Sequence, residues 1–394
     1  MIKPSLRAQS VQFMLFITGG AFLIWTLWSI YDTAQNHHRA QRVQNSYSSV
    51  RNDTLGFEKV FAINLPSRPD KKDNIILGSS VSGFRVDWIE GVDPGDISPK
   101  SFPYNWNHAH LLTEYARRRA HLNAIQRIIE KRLGSAVIME DDTDWDILIK
   151  TQLQNFAVAL GGLQGSLNAE PASPYGDNWD ILWLGHCGVQ CKAQDPSYLT
   201  QNDPTVPASR HFLPYLRDKP PIERPENGRL TCTARDIACG SFYAVSYRGA
   251  QKILAALSVS PLGLAEDIDI GGQIDVSLGR LCGHGYLQCY ATYPAITGKY
   301  RAAGVAGKAS DVHNGTGEAK GFATWGVMYS VMLNIQRIVT GDTAMRATWQ
   351  DAPVPEISLS EVKSQEEEMA RLREMTVYQG MLSYSANENR REEI

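Results

Sequence analysis

Short apolar runs alternate with stretches of helical periodicity through the middle of the chain. Each run is four to seven residues long and ends at proline, glycine or polar residues, which is typical of buried strands. Between the runs, apolar residues recur every three or four positions, as on the buried face of a helix. The alternation predicts an α/β fold with a largely parallel sheet. The predicted strands are 59–65, 84–89, 136–139, 179–184 and 240–246, and the predicted helices are 111–133, 147–160 and 248–257.

A long uncharged segment lies near the beginning of the chain. Residues Val11 to Ile30 are twenty positions without charge, and at about 1.5 Å per residue a helix of that length crosses the ~30 Å core of a bilayer. Trp25 and Trp28 gather at one end, where aromatic side chains favour the membrane interface. The alternative is a cleaved signal peptide, whose apolar region is usually shorter and precedes a small-residue site. We predict a signal anchor at 11–31 after a cytoplasmic tail at 1–10.

The segments that flank the predicted body differ from it in composition. Residues 32–56 are polar and poor in large apolar groups, which favours a stem. A highly charged tail is predicted at 341–394, so the body is predicted at 57–340. With the anchor, this order predicts a single-pass type II protein of the Golgi or endoplasmic reticulum membrane with a lumenal body.

The cysteines indicate the cellular compartment of the protein, and the net charge bears on the class of its partners. All six cysteines lie between 187 and 289, and an even number behind a secretory-type segment favours disulfides, although six cysteines allow 15 pairings. Sequons at Asn52 and Asn314 agree with a lumenal body. The 394 residues carry 39 basic and 42 acidic side chains, a net charge of −3, so nothing indicates a nucleic-acid partner.

The clearest chemical signal is a set of carboxylates directly after the predicted strand 136–139. We call Glu140, Asp141, Asp142 and Asp144 the acidic cluster. Ligands of open α/β sheets bind beyond the carboxyl ends of strands, and adjacent carboxylates repel unless a cation lies between them. A hard divalent ion takes one or two carboxylates and completes its shell with water and phosphate oxygens. The cluster therefore predicts a nucleotide-diphosphate site with Mg²⁺ or Mn²⁺; a solvated acidic loop or helix N-terminus is the alternative.

A second acidic segment lies far downstream. Residues 265–270 contain Asp267 and precede Gly271 and Gly272, and Asp275 follows them. Two acidic centres can divide the labour, so that one holds a metal and the other deprotonates an acceptor hydroxyl. The alternative is that these carboxylates only cap a helix.

Three further residues follow predicted strands and are weaker candidates. His186 comes directly after the strand 179–184, where a ligand contact is plausible. Arg68 and Lys71 follow the first strand and are candidates to bind phosphate or base, although charged turns are commonly only solvated.

Five segments follow one another in order between about 58 and 300: VFAINLPSR at 60–68, the helix that contains Ala120 and His121, AVIMEDD at 136–142, FYAVSYRGA at 242–250 and QID at 273–275. Taken together, they resemble glycosyltransferase family 25, which includes lipopolysaccharide galactosyltransferases and animal collagen galactosyltransferases. Two features depart from the family pattern: the arginines at 117–119 and the long insertion at 189–235.

The resemblance implies a GT-A-like nucleotide-sugar fold in a protein similar to fungal-type, membrane-anchored members. It implies transfer of a hexose, with galactose expected, from a nucleotide-diphosphate sugar such as a UDP-sugar to a hydroxyl of a glycan or glycoprotein. The expected reaction is metal-dependent and inverts the anomeric centre. The expected roles are then metal binding for Asp142 and Asp141, donor binding for Glu140, Asp141, Asn64 and Arg68, and general base for Asp275 or Asp267. His186 is expected to contact the donor because of its position after the strand 179–184.

Two other functions use the same residues. A glycoside hydrolase needs a protonated carboxylic acid and a second carboxylate about 5–9.5 Å away. A non-catalytic, anchored carbohydrate-binding protein of the lumen would keep the fold without turnover.

Overall fold

The computed structural model describes most of the predicted body. It covers 47–102, 109–165, 173–191, 195–212, 224–259, 273–304, 310–312, 321 and 323–360, with isolated positions 25, 26, 28 and 31. The predicted anchor and the chain beyond 360 therefore lie almost wholly outside the described residues. Within the described residues, no helix combines the length and the apolar character that a bilayer crossing requires.

Strands and helices alternate through the described part, as the sequence pattern predicts. The helix Pro69–Val81 was not predicted, because the charged residues around Lys71 resemble a turn. The strands are β1 (Lys59–Asn64), β2 (Asp87–Glu90), β3 (Ser135–Glu140), β4 (Thr143–Trp145), β5 (Ile181–Gly185), β6 (Gly188–Cys191), β7 (Ser197–Thr200), β8 (Arg229–Ala238), β9 (Phe242–Ser246), β10 (Cys289–Tyr293), β11 (Thr297–Arg301), β12 (Ala323–Trp325), β13 (Ala344–Arg346) and β14 (Glu356–Ser358). The α-helices are α1 (Pro69–Val81), α2 (Leu112–Glu130), α3 (Ile149–Leu163), α4 (Tyr247–Leu254), α5 (Ile274–Gly283) and α6 (Val331–Val339).

The main sheet is mixed, so the prediction of a largely parallel sheet is wrong. Its order is β2-β1-β3-β9-β5-β10-β8-β6, and β7 also pairs with β8. The pairs β1/β2, β1/β3 and β5/β10 are parallel, whereas β9 lies antiparallel between β3 and β5. A strand buried on both faces is apolar throughout, so its sequence indicates burial but not direction.

Helices cover both faces of this sheet. Successive strand residues point to opposite faces, and Val60 and Phe61 of β1 accordingly belong to different cores. Phe61 lies in the core that α2, α4 and α5 cover, and Val60 lies in the core that α1, α3 and α6 cover. This layered mixed α/β arrangement is compatible with a glycosyltransferase fold.

The folded body extends beyond the boundaries predicted at 57 and 340. Val50 and Leu55, in the predicted stem, are fully buried, and the Tyr175 hydroxyl donates to the Leu55 carbonyl oxygen over 2.6 Å. At the other end, β13 and β14 form a hairpin in which Met345 is fully buried. Residues 47–56 and 341–360 thus contribute to the core.

A small sheet of β12, β11 and β4 lies next to the acidic cluster. Asp144, a member of that cluster, turns into the protein and accepts hydrogen bonds from the hydroxyls of Thr324 and Ser330 and from the Met332 amide. These contacts tie the chain after β11 to β4. In β11, Lys299 pairs with Thr143, which carries the lysine to the edge of the acidic cluster.

All six cysteines form disulfides, so the prediction of cystine bonds in this chain is confirmed. The pairs are Cys187–Cys239, Cys191–Cys232 and Cys282–Cys289. Three disulfides fit a lumenal or secreted protein, because such bonds persist in oxidising compartments.

Candidate active-site cleft

A cleft of about 240 Å³ opens at the carboxyl ends of β1 and β3. Its lining includes Glu140, Asp141 and Asp142 of the acidic cluster, and Asp275 from the first turn of α5. Asp144, the fourth member, does not line the cleft, because β4 directs it into the interior. The two acidic centres of the sequence therefore share one site, as far as the described residues show.

Arg117 of α2 joins the two acidic centres. Its Nε lies 2.6 Å from Glu140 Oε1, and its Nη1 donates over 2.8 Å to Asp275 Oδ1, across 158 positions of sequence. Burial alone would lower the pKa of Arg117, but the Glu140 and Asp275 carboxylates outweigh burial and raise it. The guanidinium therefore stays charged and fixes both carboxylates.

The arginines that depart from the family pattern have different roles. Arg118 is buried and its Nη2 donates over 3.3 Å to the Leu257 carbonyl oxygen, and Arg119 Nε donates over 2.7 Å to Asn123 Oδ1. Of the three, Arg117 alone lines the cleft. The sequence does not indicate that Arg117 bridges the two acidic centres, because that role depends on how α2 packs against α5 and β3.

Lys299 supplies a second cation to the acidic cluster. Its Nζ lies 3.1 Å from Glu140 Oε2 and 3.3 Å from Asp142 Oδ2. Burial would raise the pKa of Glu140, but Arg117 and Lys299 hold it well below its usual value. Sequence analysis missed Lys299, because only the β4–β11 pairing brings it to the cluster.

Asn64 and Lys71 orient Asp141 from the end of β1 and from α1. Asn64 Nδ2 donates over 2.9 Å to one carboxylate oxygen of Asp141, and Lys71 Nζ lies 3.2 Å from the other. Burial raises the pKa of Asp141 to about 6, with Lys71 acting in the opposite direction. Arg68 and Lys71 both contact the Asp311 carboxylate, so the predicted phosphate-binding cations flank one anionic group.

His121 of α2 supports Glu140 from within the core. Its Nδ1 lies 2.9 Å from the Tyr243 hydroxyl, and its Nε2 lies 3.3 Å from Glu140 Oε1. Burial lowers the pKa of His121, so the ring is neutral near pH 7.

Two predicted site residues do not join this assembly. His186 follows the last residue of β5, is buried and does not line the cleft. The Nε2 atom of His186 instead donates over 2.7 Å to the Thr292 carbonyl oxygen. Burial lowers its pKa to about 4, so it is neutral and packed rather than poised for a donor. Asp267 lies outside the described residues, and its proposed role as base remains a prediction.

A divalent cation in this cleft would have mainly one protein carboxylate as a ligand. No group of three or more His, Cys, Asp or Glu side chains placed to hold a metal occurs among the described residues. Mg²⁺-type sites need only one or two carboxylates, with water and phosphate oxygens completing the shell. Asp142 Oδ1 is buried without a hydrogen-bond partner, which suits such a ligand, whereas both oxygens of Asp141 already face Asn64 or Lys71.

Comparison with known proteins supports one class. No family model matches the chain. Procollagen galactosyltransferase 1 of Danio rerio is 24% identical over an alignment of 223 residues that covers 52% of this chain and 29% of that protein. The chain thus matches less than a third of the length of this relative. The distant similarity, with a fold compatible with that class, supports a glycosyltransferase function in general.

Proposed function

We propose that this protein transfers a hexose, with galactose expected, from a nucleotide-diphosphate sugar to a hydroxyl of a glycan or glycoprotein. The observation that carries the proposal is the single cleft in which Asp142, with its unpartnered oxygen, faces the same space as Asp275. The name of the Danio rerio relative supports galactose as the sugar. A UDP-sugar is the proposed donor, in line with the resemblance to family 25.

The donor end of the cleft is proposed to lie at the ends of β1 and β3. Asp142, assisted by Asp141, would hold Mn²⁺ or Mg²⁺, which when bound neutralises charge on the departing diphosphate. Asn64 keeps Asp141 oriented, and Arg68 and Lys71 are proposed to bind phosphate oxygens in place of their present partner, the Asp311 carboxylate. These residues bind and orient the donor.

The acceptor end is proposed to lie at Asp275. The acceptor oxygen attacks the anomeric carbon, its proton passes to the Asp275 carboxylate, and the bond from the anomeric carbon to the diphosphate oxygen breaks. The nucleoside diphosphate leaves with the bonding electron pair. A single displacement of this kind inverts the anomeric centre. Arg117 holds Asp275 for this step through its Nη1.

We also propose that the body is anchored in the Golgi or endoplasmic reticulum membrane and faces the lumen. The uncharged segment 11–31 and the three disulfides support this placement. Protease treatment of sealed microsomes should spare the body, and digestion without detergent would contradict the topology.

One observation favours the hydrolase alternative. Burial raises the pKa of Asp141 to about 6, and a glycosidase needs a carboxyl that is protonated near neutral pH. Glu140 does not meet this need, because Arg117 and Lys299 hold its pKa low. Release of free sugar from a glycoside, with no nucleotide sugar present, would establish the hydrolase.

Two substitutions test the transferase with the full chain. A ligand that binds only the folded state raises the melting temperature, so a nucleotide-sugar panel with Mn²⁺ or with EDTA reports donor binding. Asp142→Asn should abolish the Mn²⁺-dependent stabilisation, because an amide lacks the charge that a hard cation needs. Asp275→Asn should keep the Mn²⁺-dependent stabilisation by the donor, but its transfer rate should fall about 10²–10⁴-fold, which is the usual contribution of a general base.

The opposite results are equally clear. Unchanged Mn²⁺-dependent donor binding in Asp142→Asn would show that Asp142 does not hold the metal. Transfer by Asp275→Asn at the wild-type rate would remove Asp275 as the base.

A further inference from the structure

Cys239 makes a direct backbone contact with the proposed base. Its amide N–H donates to Asp275 Oδ2 over 2.6 Å, on the carboxylate oxygen that Arg117 does not use. Cys239 lines the cleft and has a φ of 64°, in the left-handed region that residues other than glycine seldom adopt. This backbone conformation aims the amide at Asp275.

A disulfide holds Cys239 in that position. Cys239 directly follows β8 and is bonded to Cys187, which lies between β5 and β6. The Cys187 amide also donates over 2.8 Å to the carbonyl oxygen of Ala238, the residue before Cys239. The covalent bond and the hydrogen bond together fix the end of β8 against the central sheet.

We propose that the Cys187–Cys239 disulfide positions Asp275 for the transfer step; the inference rests on the proposed function and adds a positioning pair to it. An ionised carboxylate has about four acceptor sites. Arg117 and the Cys239 amide occupy one on each oxygen, which fixes the plane of the group and leaves the remaining sites for an acceptor hydroxyl. The bond acts through Asp275 and does not touch substrate.

The chain offers a matched control in its second disulfide. Cys191–Cys232 joins β6 and β8, the strands that Cys187 and Cys239 directly flank, but neither Cys191 nor Cys232 lines the cleft. The two bonds span 52 and 41 residues of sequence, so their effects on the entropy of the unfolded chain are similar. A purely structural role predicts equal effects on turnover when either bond is removed.

The test compares the double substitutions C187S/C239S and C191S/C232S in the full chain. Misplacement of a reacting group by about 1 Å costs on the order of 100-fold in rate. We expect kcat to fall about 10- to 100-fold in C187S/C239S, with the donor Kd and the acceptor KM unchanged. The C191S/C232S control should lose thermal stability to a similar extent and keep its kcat within about twofold. If C187S/C239S does not fold, C187A/C239G replaces it, because glycine adopts the left-handed conformation without strain.

The Asp275→Asn background separates positioning from general damage. Once the base is absent, breaking Cys187–Cys239 should not reduce the residual transfer rate further, because effects that act through one group are not additive. An equal fall of kcat in both disulfide variants, an unchanged kcat in C187S/C239S, or a further fall in the Asp275→Asn background would overturn the inference alone. Wild-type transfer by Asp275→Asn would instead overturn the proposed base, and the inference with it.

Discussion

Replacement of Lys299 by methionine should lower the thermal stability of the metal-free protein and raise its affinity for Mn²⁺. Lys299 Nζ lies 3.1 Å from Glu140 Oε2 and 3.3 Å from Asp142 Oδ2, so it stands where a divalent cation would neutralise Asp142. Lysine and metal then compete for one carboxylate. Methionine keeps the length of the side chain and removes the competing charge.

The size of the effect follows from the two contacts. At about 3.2 Å and an effective dielectric constant near 20, each contact is worth about 5 kcal/mol before desolvation. The Lys299 side chain is 38% exposed, so solvent screening and the cost of burying the charge reduce the net loss to about 1–2 kcal/mol. That loss lowers the melting temperature by about 2–4 °C per kcal/mol. The same free energy, no longer opposing the metal, should tighten Mn²⁺ binding about tenfold.

The assay is metal titration without nucleotide, followed by melting temperature and by the free Mn²⁺ signal in electron paramagnetic resonance. Lys59→Met is the control, because Lys59 pairs with Asp87 over 2.8 Å, both side chains are about half exposed, and both lie far from Asp142 in sequence. The Lys59→Met variant should keep both the melting temperature and the Mn²⁺ affinity of the wild type, because exposed ion pairs contribute little. Equal or weaker Mn²⁺ binding by Lys299→Met would refute the competition.

Two further predictions concern stability. Burial raises the pKa of Asp146 to about 7, so the folded state binds its proton more tightly than the unfolded state, and this contribution to stability is lost as pH rises from about 4 to 7. The free energy of unfolding of Asp146→Asn, measured by urea denaturation, should therefore rise by about 2–4 kcal/mol relative to that of wild type as the pH rises through this range. The variant His186→Gln should show the opposite trend, because burial lowers the pKa of His186 to about 4. Parallel pH profiles for the two variants would contradict these assignments. Gly298→Ala should cost about 1–3 kcal/mol, because a Cβ there would lie 1.6 Å from the Trp325 carbonyl oxygen. Gly321→Ala, where the space is open, is its control, and equal melting temperatures for the two would show that β11 and β12 can separate freely.

Local chemistry made part of this structure predictable from sequence. The apolar runs at 59–65 and 136–139 correspond to β1 and β3, because a short apolar run bounded by turn residues is typical of a buried strand. Glu140–Asp142 lie at the carboxyl end of β3, where the cleft opens, as their position after the predicted strand 136–139 indicated. Asp275 joined them there, as expected for two acidic centres that share a site.

Contacts between distant segments were not predictable in the same way. Arg117 and Lys299 are ordinary surface-type cations in the sequence, and only the packing of α2 and the pairing of β4 with β11 turn them toward carboxylates. His186 had the expected position after a strand but turned into the core, since the direction of a side chain after a strand depends on the turn that follows. The sheet is mixed rather than largely parallel because β9 runs antiparallel to its neighbours. This was not predictable, because burial on both faces makes a strand apolar whichever way the strand runs.

The buried Asp144 determines how the body can be shortened for recombinant work. A fragment that stops before 323 would remove Thr324, Ser330 and Met332, which supply three of the hydrogen bonds to this carboxylate. An interior carboxylate that loses its donors is costly, and β4 lies one residue after Asp142. A fragment that keeps these donors must therefore extend at least through α6, even though the Met332 amide lies 188 positions from Asp144 in sequence.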